Sequence, residues 1–270
     1  APILRSEAVD PAQRPFFGLG SGGRQRPLPS LGNILLRETN GRSLYRALTL
    51  RTQFRRRWGQ INAYYTLSKN LSDDDNERNA TGLFYENAFD LQPEYGPSDL
   101  DRRHQFVANP IFFLPGGFDV SSAVRLRSAR PVDATIGSDL NQNLGGDDRP
   151  FSAPGVPFRR NAFRSNPVYD IDLRVQKGFS FGETRRLIFS TEFFNLFGFD
   201  NIEIPNAFSA VTNRFCASTT DPRCGLDGPT NPNFLQTREQ TPNSPRLGQF
   251  ITDNLPGAPF QMQVGVRFEF

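Results

Sequence analysis

Apolar and polar residues alternate strictly along the last twelve positions of the chain. Phe260, Met262, Val264, Val266, Phe268 and Phe270 form one file; Gln261, Gln263, Gly265, Arg267 and Glu269 form the other. Side chains alternate across a strand, so this pattern predicts one wholly apolar face and one polar face. The same period recurs upstream. Leu44, Leu48, Leu50 and Phe54 oppose Tyr45, Thr49, Arg51 and Arg55. After a turn at Arg56, Arg57 and Gly59, Ile61, Ala63, Tyr65 and Leu67 oppose Asn62, Tyr64, Thr66 and Ser68. A strand from His104 to Leu114 precedes the turn Pro115-Gly116-Gly117. Phe118, Val120, Val124 and Leu126 then stand against Asp119, Ser121, Arg125 and Arg127. Tyr169, Ile171, Leu173, Val175 and Phe179 oppose Asp170, Asp172, Arg174 and Gln176. Beyond Gly182-Glu183-Thr184, Leu187, Phe189, Thr191 and Phe193 oppose Ser190 and Glu192. These runs predict seven antiparallel strands. Asn40-Gly41, after the strand-like run Leu31 to Thr39, is a further hairpin signal.

The connections decide what kind of sheet this is. They alternate short, long, short, long: tight turns at one end, irregular stretches at Lys69 to Arg103, Arg130 to Asn166 and Gly198 to Ala258 at the other. Loops of this length are uncommon in compact soluble domains. Short turns at one rim and long loops at the other are the plan of a transmembrane β-barrel. Aromatics also gather beside the turns: Phe54, Trp58, Phe112, Phe113, Phe118, Phe179, Phe181, Phe268 and Phe270. Rings at one depth suit the membrane–water interface, whereas a soluble core has no reason to collect them there. The expected fold is all-β: an antiparallel transmembrane barrel segment of about seven strands, with short periplasmic turns and long extracellular loops. The carboxy terminus then falls on the periplasmic side.

Composition narrows the alternatives. A polar mean hydropathy is no objection, because each barrel strand is half polar and loops dilute the apolar signal. The 23 glycines and 22 prolines fit many turns. Of 31 basic residues only Lys69 and Lys177 are lysine, and the net charge of +3 is too small to indicate nucleic acid. Cys216 and Cys224 lie close together in a polar, proline-rich stretch, which fits a loop disulfide in an oxidising compartment. The first residues carry no signal-peptide pattern, so such a segment was either removed or this chain is the end of a longer one.

Several stretches resemble the carboxy-terminal barrel of TonB-dependent outer-membrane receptors, in particular the Oar-like group that carries a carboxypeptidase-regulatory-like domain. They are Ser43-Leu-Tyr-Arg-Ala-Leu48, Tyr65-Thr-Leu-Ser-Lys69, Tyr95-Gly-Pro-Ser-Asp-Leu-Asp-Arg-Arg-His104 and Asp148-Arg-Pro150. Arg160-Asn161, Tyr169-Asp-Ile-Asp-Leu-Arg174, Glu192-Phe-Phe-Asn-Leu-Phe197, Pro245-Arg246 and Val266-Arg-Phe-Glu-Phe270 follow in the family's order. The resemblance implies solute uptake driven through TonB. It implies a barrel-assembly signal at Val264, Val266, Phe268 and Phe270, and a loop-ordering rim network at Tyr95, Asp101, Arg103 and His104. Such receptors have twenty-two strands, a plug and a TonB box. Residues 44–270 are therefore expected to be the last part of a receptor barrel, an open partial barrel, and residues 1–43 an extracellular loop and hairpin. Expected partners are outer-membrane lipid and lipopolysaccharide, the missing strands and plug, the barrel-assembly machinery, and TonB through the plug.

Other chemistry is thin. His104 with Asp99 and Asp101 lacks a paired nucleophile and an oxyanion hole, so no enzyme is expected. Asp139, Asn141, Asn143 and Asp147 are spaced like the start of a calcium loop. The glycine comes one place late at Gly145, and Pro150 stands where the closing acid belongs, so no metal or cofactor is expected. Three readings follow: a transporting receptor, a structural or adhesive barrel, and a barrel enzyme. An upstream plug and TonB box distinguish the first.

Overall fold

Alternation of apolar and polar residues builds seven long strands in the computed structural model. It describes residues 3–18, 39–75, 85–87, 89–144, 148–182, 184–204, 213–236, 249–250 and 260–270. The strands are β1 (Ser43–Arg56), β2 (Gly59–Ser72), β3 (His104–Leu114), β4 (Phe118–Arg127), β5 (Val168–Phe181), β6 (Arg185–Phe194) and β7 (Gln261–Glu269). Each pairs antiparallel with its neighbour in sequence, in the order β1 to β7, and the sheet is not closed. Among the described residues β1 and β7 each have one long neighbour. A 3-10 turn at Gln92–Glu94 is the sole helical element among the described residues. The run Leu31–Leu36, Asp147, Gly145, Glu183 and Pro245-Arg246 lie outside them.

The register carries each file across the sheet. On one face Leu50, Tyr65, Phe106, Leu126 and Tyr169 stand in successive cross-strand pairs, as do Leu173, Phe193 and Met262. On the other, Arg174 faces Glu192, which faces Gln263. Arg174 Nε lies 3.3 Å from Glu192 Oε1, and Gln263 Nε2 donates to Glu192 Oε2 at 3.1 Å. Arg125 bridges Asp170 and Asp172 at 2.7 and 3.0 Å on the same polar face. The apolar file stays uncovered: Val264 is 66% exposed. A soluble sandwich would bury that face, whereas a membrane barrel offers it to lipid.

Strand lengths match this role. Fourteen residues at ~3.3 Å each reach ~46 Å, or ~35 Å in depth at a ~40° tilt, more than the ~25 Å apolar band of a barrel. β2 accordingly runs to Ser72, past the end at Ser68 that the apolar alternation predicts. Its last residues pair with Ser43–Arg46 and with the short strand Gly96–Pro97, so backbone pairing continues where the apolar file has stopped.

At the other rim the turns are tight. Arg57 and Trp58 join β1 to β2, and Pro115-Gly116-Gly117 joins β3 to β4 with φ of +81° at Gly116 and +77° at Gly117. Only glycine adopts such angles without strain. Trp58 stacks on Phe112 at 6.0 Å and lies 5.5 Å from Phe54, while Phe179 meets Phe189 edge-on at 5.9 Å. Lys177 belongs to the apolar file at this rim. Its Nζ lies 4.3 Å from the centre of the Phe118 ring and 5.1 Å from that of Phe179.

Candidate functional site

At the opposite rim the long connections fold onto one another. Short ladders tie them: Pro131–Val132 with Phe163–Arg164, and Phe151–Ala153 with Val156–Pro157. Thr135 bridges Arg214, and Cys216 bridges Thr230. Phe158, Phe163, Phe215 and Phe234 meet with ring centres 4.9 to 6.0 Å apart. Beside them Ile136, Cys216 and Cys224 are buried, and the two cysteines are joined in a disulfide. The amino-terminal segment docks here too. Ile3–Leu4 pairs with Pro15–Phe16, and the wholly buried Arg14 donates to Asp10 at 2.9 Å and to the Pro222 carbonyl at 2.8 Å. Nothing in the aperiodic first thirty residues announces this docking.

Buried charge holds the layer together. Arg149 pairs with Glu94 and donates to the carbonyls of Pro93 and Phe158 at 3.3 and 3.4 Å. Its backbone N–H donates to Glu86 at 3.0 Å. Asn141 donates its side-chain amide to the Glu86 carbonyl and its backbone N–H to Asp148 at 2.7 Å. Burial pushes the Glu86 carboxyl up to about 7 and that of Asp133 up to about 6. Asp148 is pushed up to about 9, by burial and then by the Glu86 charge. Burial disfavours the charged form of each carboxyl more than the nearby arginines favour it, so all three are shifted upward.

The four residues of the expected rim network go to four separate contacts. Asp101 is buried, accepting from the backbone N–H of Asn70 at 2.7 Å and from Arg164 at 2.6 Å. His104 Nδ1 and the Tyr65 hydroxyl are 2.8 Å apart, and the His104 N–H donates to Ser128 Oγ. Tyr95 lies under the Arg42 guanidinium at 4.8 Å. Arg103 is exposed and holds Ser68 through its backbone carbonyl. The chain enters β3 between Asp101 and His104, so their side chains leave in different directions. Asp101 finds its cation in the next long loop. Two parallel contacts complete the tie: Asn161 donates to Asp99, and Arg160 to Asp75, each at 2.6 Å. The family-like stretches contain Arg149, Arg160 and Asn161, but spacing alone gives no sign of Glu94, Glu86, Asp75 or Arg164 as partners.

The calcium-like spacing serves a turn. Asp139 accepts the backbone N–H groups of Asn143 and Leu144, and Asn141 Oδ1 accepts that of Asn143. Asn143 donates its amide to the Tyr85 carbonyl. Among the described residues no group of three or more acidic, histidine or cysteine side chains is placed to hold a metal. The closing file Val264, Val266, Phe268 and Phe270 is exposed on the lipid face, with Val264 opposite Thr191, Val266 opposite Phe189 and Phe268 opposite Leu187.

An open meander with one uncovered apolar face, ring-lined turns and layered long loops is a segment of a transmembrane β-barrel. A family model described as an outer membrane beta barrel domain matches residues 11–160, more than half of the chain, and the chain belongs to that family. Its place is the outer membrane. No curated protein and no solved structure matches it.

Proposed function

We propose that the chain is the carboxy-terminal barrel portion of a TonB-dependent outer-membrane receptor, which takes up a solute by energy-coupled active transport. In this reading the long loops are extracellular, and the turns and carboxy terminus are periplasmic. The observation that carries it is the convergence of the receptor-like stretches in one layer. Asn161 reaches Asp99 across 62 residues of sequence. Arg149 pairs with Glu94, beside the stretch that begins at Tyr95. The Asn195 N–H donates to Asp172 at 3.0 Å, tying two further stretches together. Loops that brace one another at the barrel mouth suit capture of a solute, because a preorganised surface loses less entropy on binding. The remaining strands and the plug belong to the rest of the receptor, and TonB acts through the plug. The file ending at Phe270 engages the assembly machinery, and no residue here is assigned a catalytic role.

The test uses the complete gene in its native host. Deleting it and deleting tonB should abolish uptake of at least one shared solute, restored by a plasmid copy. Uptake that survives loss of tonB, with no cross-link between the purified receptor and TonB, would overturn the reading.

A further inference from the structure

Asn141, wholly buried, joins separate segments of the loop layer. Its backbone N–H donates to Asp148 Oδ2 at 2.7 Å and its amide to the Glu86 carbonyl at 3.1 Å. Its own carbonyl accepts from the backbone N–H of Phe17 at 2.8 Å, and the neighbouring Leu140 carbonyl accepts from Arg5 Nη2 at 3.3 Å. The turn 139–144 therefore holds one end of the amino-terminal hairpin, Arg5 and Phe17, to the segment of Tyr85 and Glu86. The hairpin's other end is tied elsewhere, through Ala12 to Gly155 and through Arg14 to Pro222. In the turn Gln142 and Leu144 have φ of +53° and +63°. Residues with a Cβ keep such angles only where surrounding bonds fix them, here those to Asp139 and from Asn143 to the Tyr85 carbonyl.

Two buried carboxyls, Glu86 and Asp148, meet at this hub. The described charged groups that act on them are Arg149, Arg14, Glu94 and Asp139, and the Glu86 charge acts on Asp148. The Arg149 guanidinium is given to Glu94 and also feels Asp133; only its backbone N–H reaches Glu86. Arg14 is given to Asp10, which Arg5 also contacts. The attraction that remains falls short of the cost of burying two like charges. Both carboxyls therefore ionise readily only when water reaches them. Stability of the closed turn is present at low pH and is lost as pH rises through the values at which the buried groups give up their protons.

We propose that Asn141, between Glu86 and Asp148, is a proton-held latch of the loop layer. Protonated carboxyls keep the turn 139–144 seated together with the Arg5 and Phe17 end of the amino-terminal hairpin, and their ionisation lets both lift together. The latch rests on contacts within the loop layer, whatever the barrel carries.

The complete receptor in phospholipid vesicles would be followed by hydrogen exchange and mass spectrometry from about pH 6.5 to about pH 9, with rates corrected for intrinsic exchange. Peptides containing Asn141 and Phe17 should open at least about tenfold more at the upper end, the factor that one pKa unit between closed and open states carries. Peptides from the strand Phe118–Arg127 should not change. Glu86→Gln combined with Asp148→Asn mimics the protonated acids, so both loop peptides should stay protected throughout. Asp133→Asn should leave the response intact, because Asp133, pushed up to about 6, is largely ionised below this range. Heat-modifiable gel mobility shows that each variant is folded, and the wild-type profile decides by itself where one is not. A wild-type profile that is flat or gains protection with pH would overturn the latch. So would a response that survives in the double variant, one lost in Asp133→Asn, or opening at Asn141 without opening at Phe17.

Discussion

Placing an arginine at Val264 tests which face of the sheet meets lipid. Val264 lies six residues before Phe270, about 20 Å along the strand at ~3.3 Å per residue and about 15 Å in depth at a ~40° tilt. Half of the ~25 Å apolar band is ~12 Å, so with Phe270 at the interface Val264 sits near mid-bilayer. Val264→Arg should therefore destabilise the assembled barrel by ~2–4 kcal/mol, which is roughly 30- to 700-fold in the folding equilibrium. Gln263→Arg is the matched control. Gln263 points to the polar face and already donates to Glu192, a contact arginine would keep with added charge, so its effect should stay within about 0.5 kcal/mol. The assay is reversible denaturant unfolding of the complete receptor in phospholipid vesicles, followed by tryptophan fluorescence. Equal losses for the two variants would refute the facing assignment, however well both fold.

Other outcomes follow from the loop layer and the sheet edges. Glu86 and Asp148 hold protons when folded up to about 7 and 9, against ordinary values of 4.5 and 3.8. Unfolded carboxyls ionise first, so stability present at low pH falls as pH rises toward 7 and then 9. Hydrogen exchange around Glu86–Glu94, corrected for intrinsic rate, should accelerate from pH 5 to pH 9, and growing protection would contradict the burial argument. Reducing the Cys216–Cys224 bridge, with its sequence separation of 8, should cost the loop layer about 2.5 kcal/mol in the chain-entropy account. Limited proteolysis near Arg214 to Asn231 with and without reductant reads this, and identical cleavage rates would count against it. Residues 39–270 refolded alone into vesicles should associate through the edges of β1 and β7, because unpaired backbone groups in hydrocarbon cost several kcal/mol each. A monodisperse monomer with discrete channel conductance would show that these strands close by themselves.

The seven strands are legible because each spans a slab with lipid on one side, which imposes the period of two on most residues from Leu44 to Phe54, Arg46 and Thr52 aside, and throughout Phe260 to Phe270. The turn rim is legible for a related reason: Gly116 and Gly117 leave few backbone choices. The loop layer has no such periodic constraint. The ladder of Pro131–Val132 with Phe163–Arg164 is two residues long, too short for any alternation to show. Arg164 finds Asp101, and Arg149 finds Glu94, through the folding of separate loops, and no local spacing encodes which arginine meets which acid. The family-like stretches mark several participants, but their pairing appears only in three dimensions.

Lys177 is out of place on an apolar file, and its position has a consequence for how the sheet sits in the membrane. Its ammonium rests between the rings of Phe118 and Phe179, at the level where headgroups begin. Sliding the sheet by one side-chain repeat, two residues or ~7 Å along a strand, would draw that charge into hydrocarbon in one direction. In the other it would carry Arg46 and Lys69 down from the loop rim. The two ends act as opposed stops, so cations on the lipid-facing files, Lys177 at one rim and Arg46 with Lys69 at the other, set the vertical seating of the sheet more sharply than the diffuse margins of the apolar band.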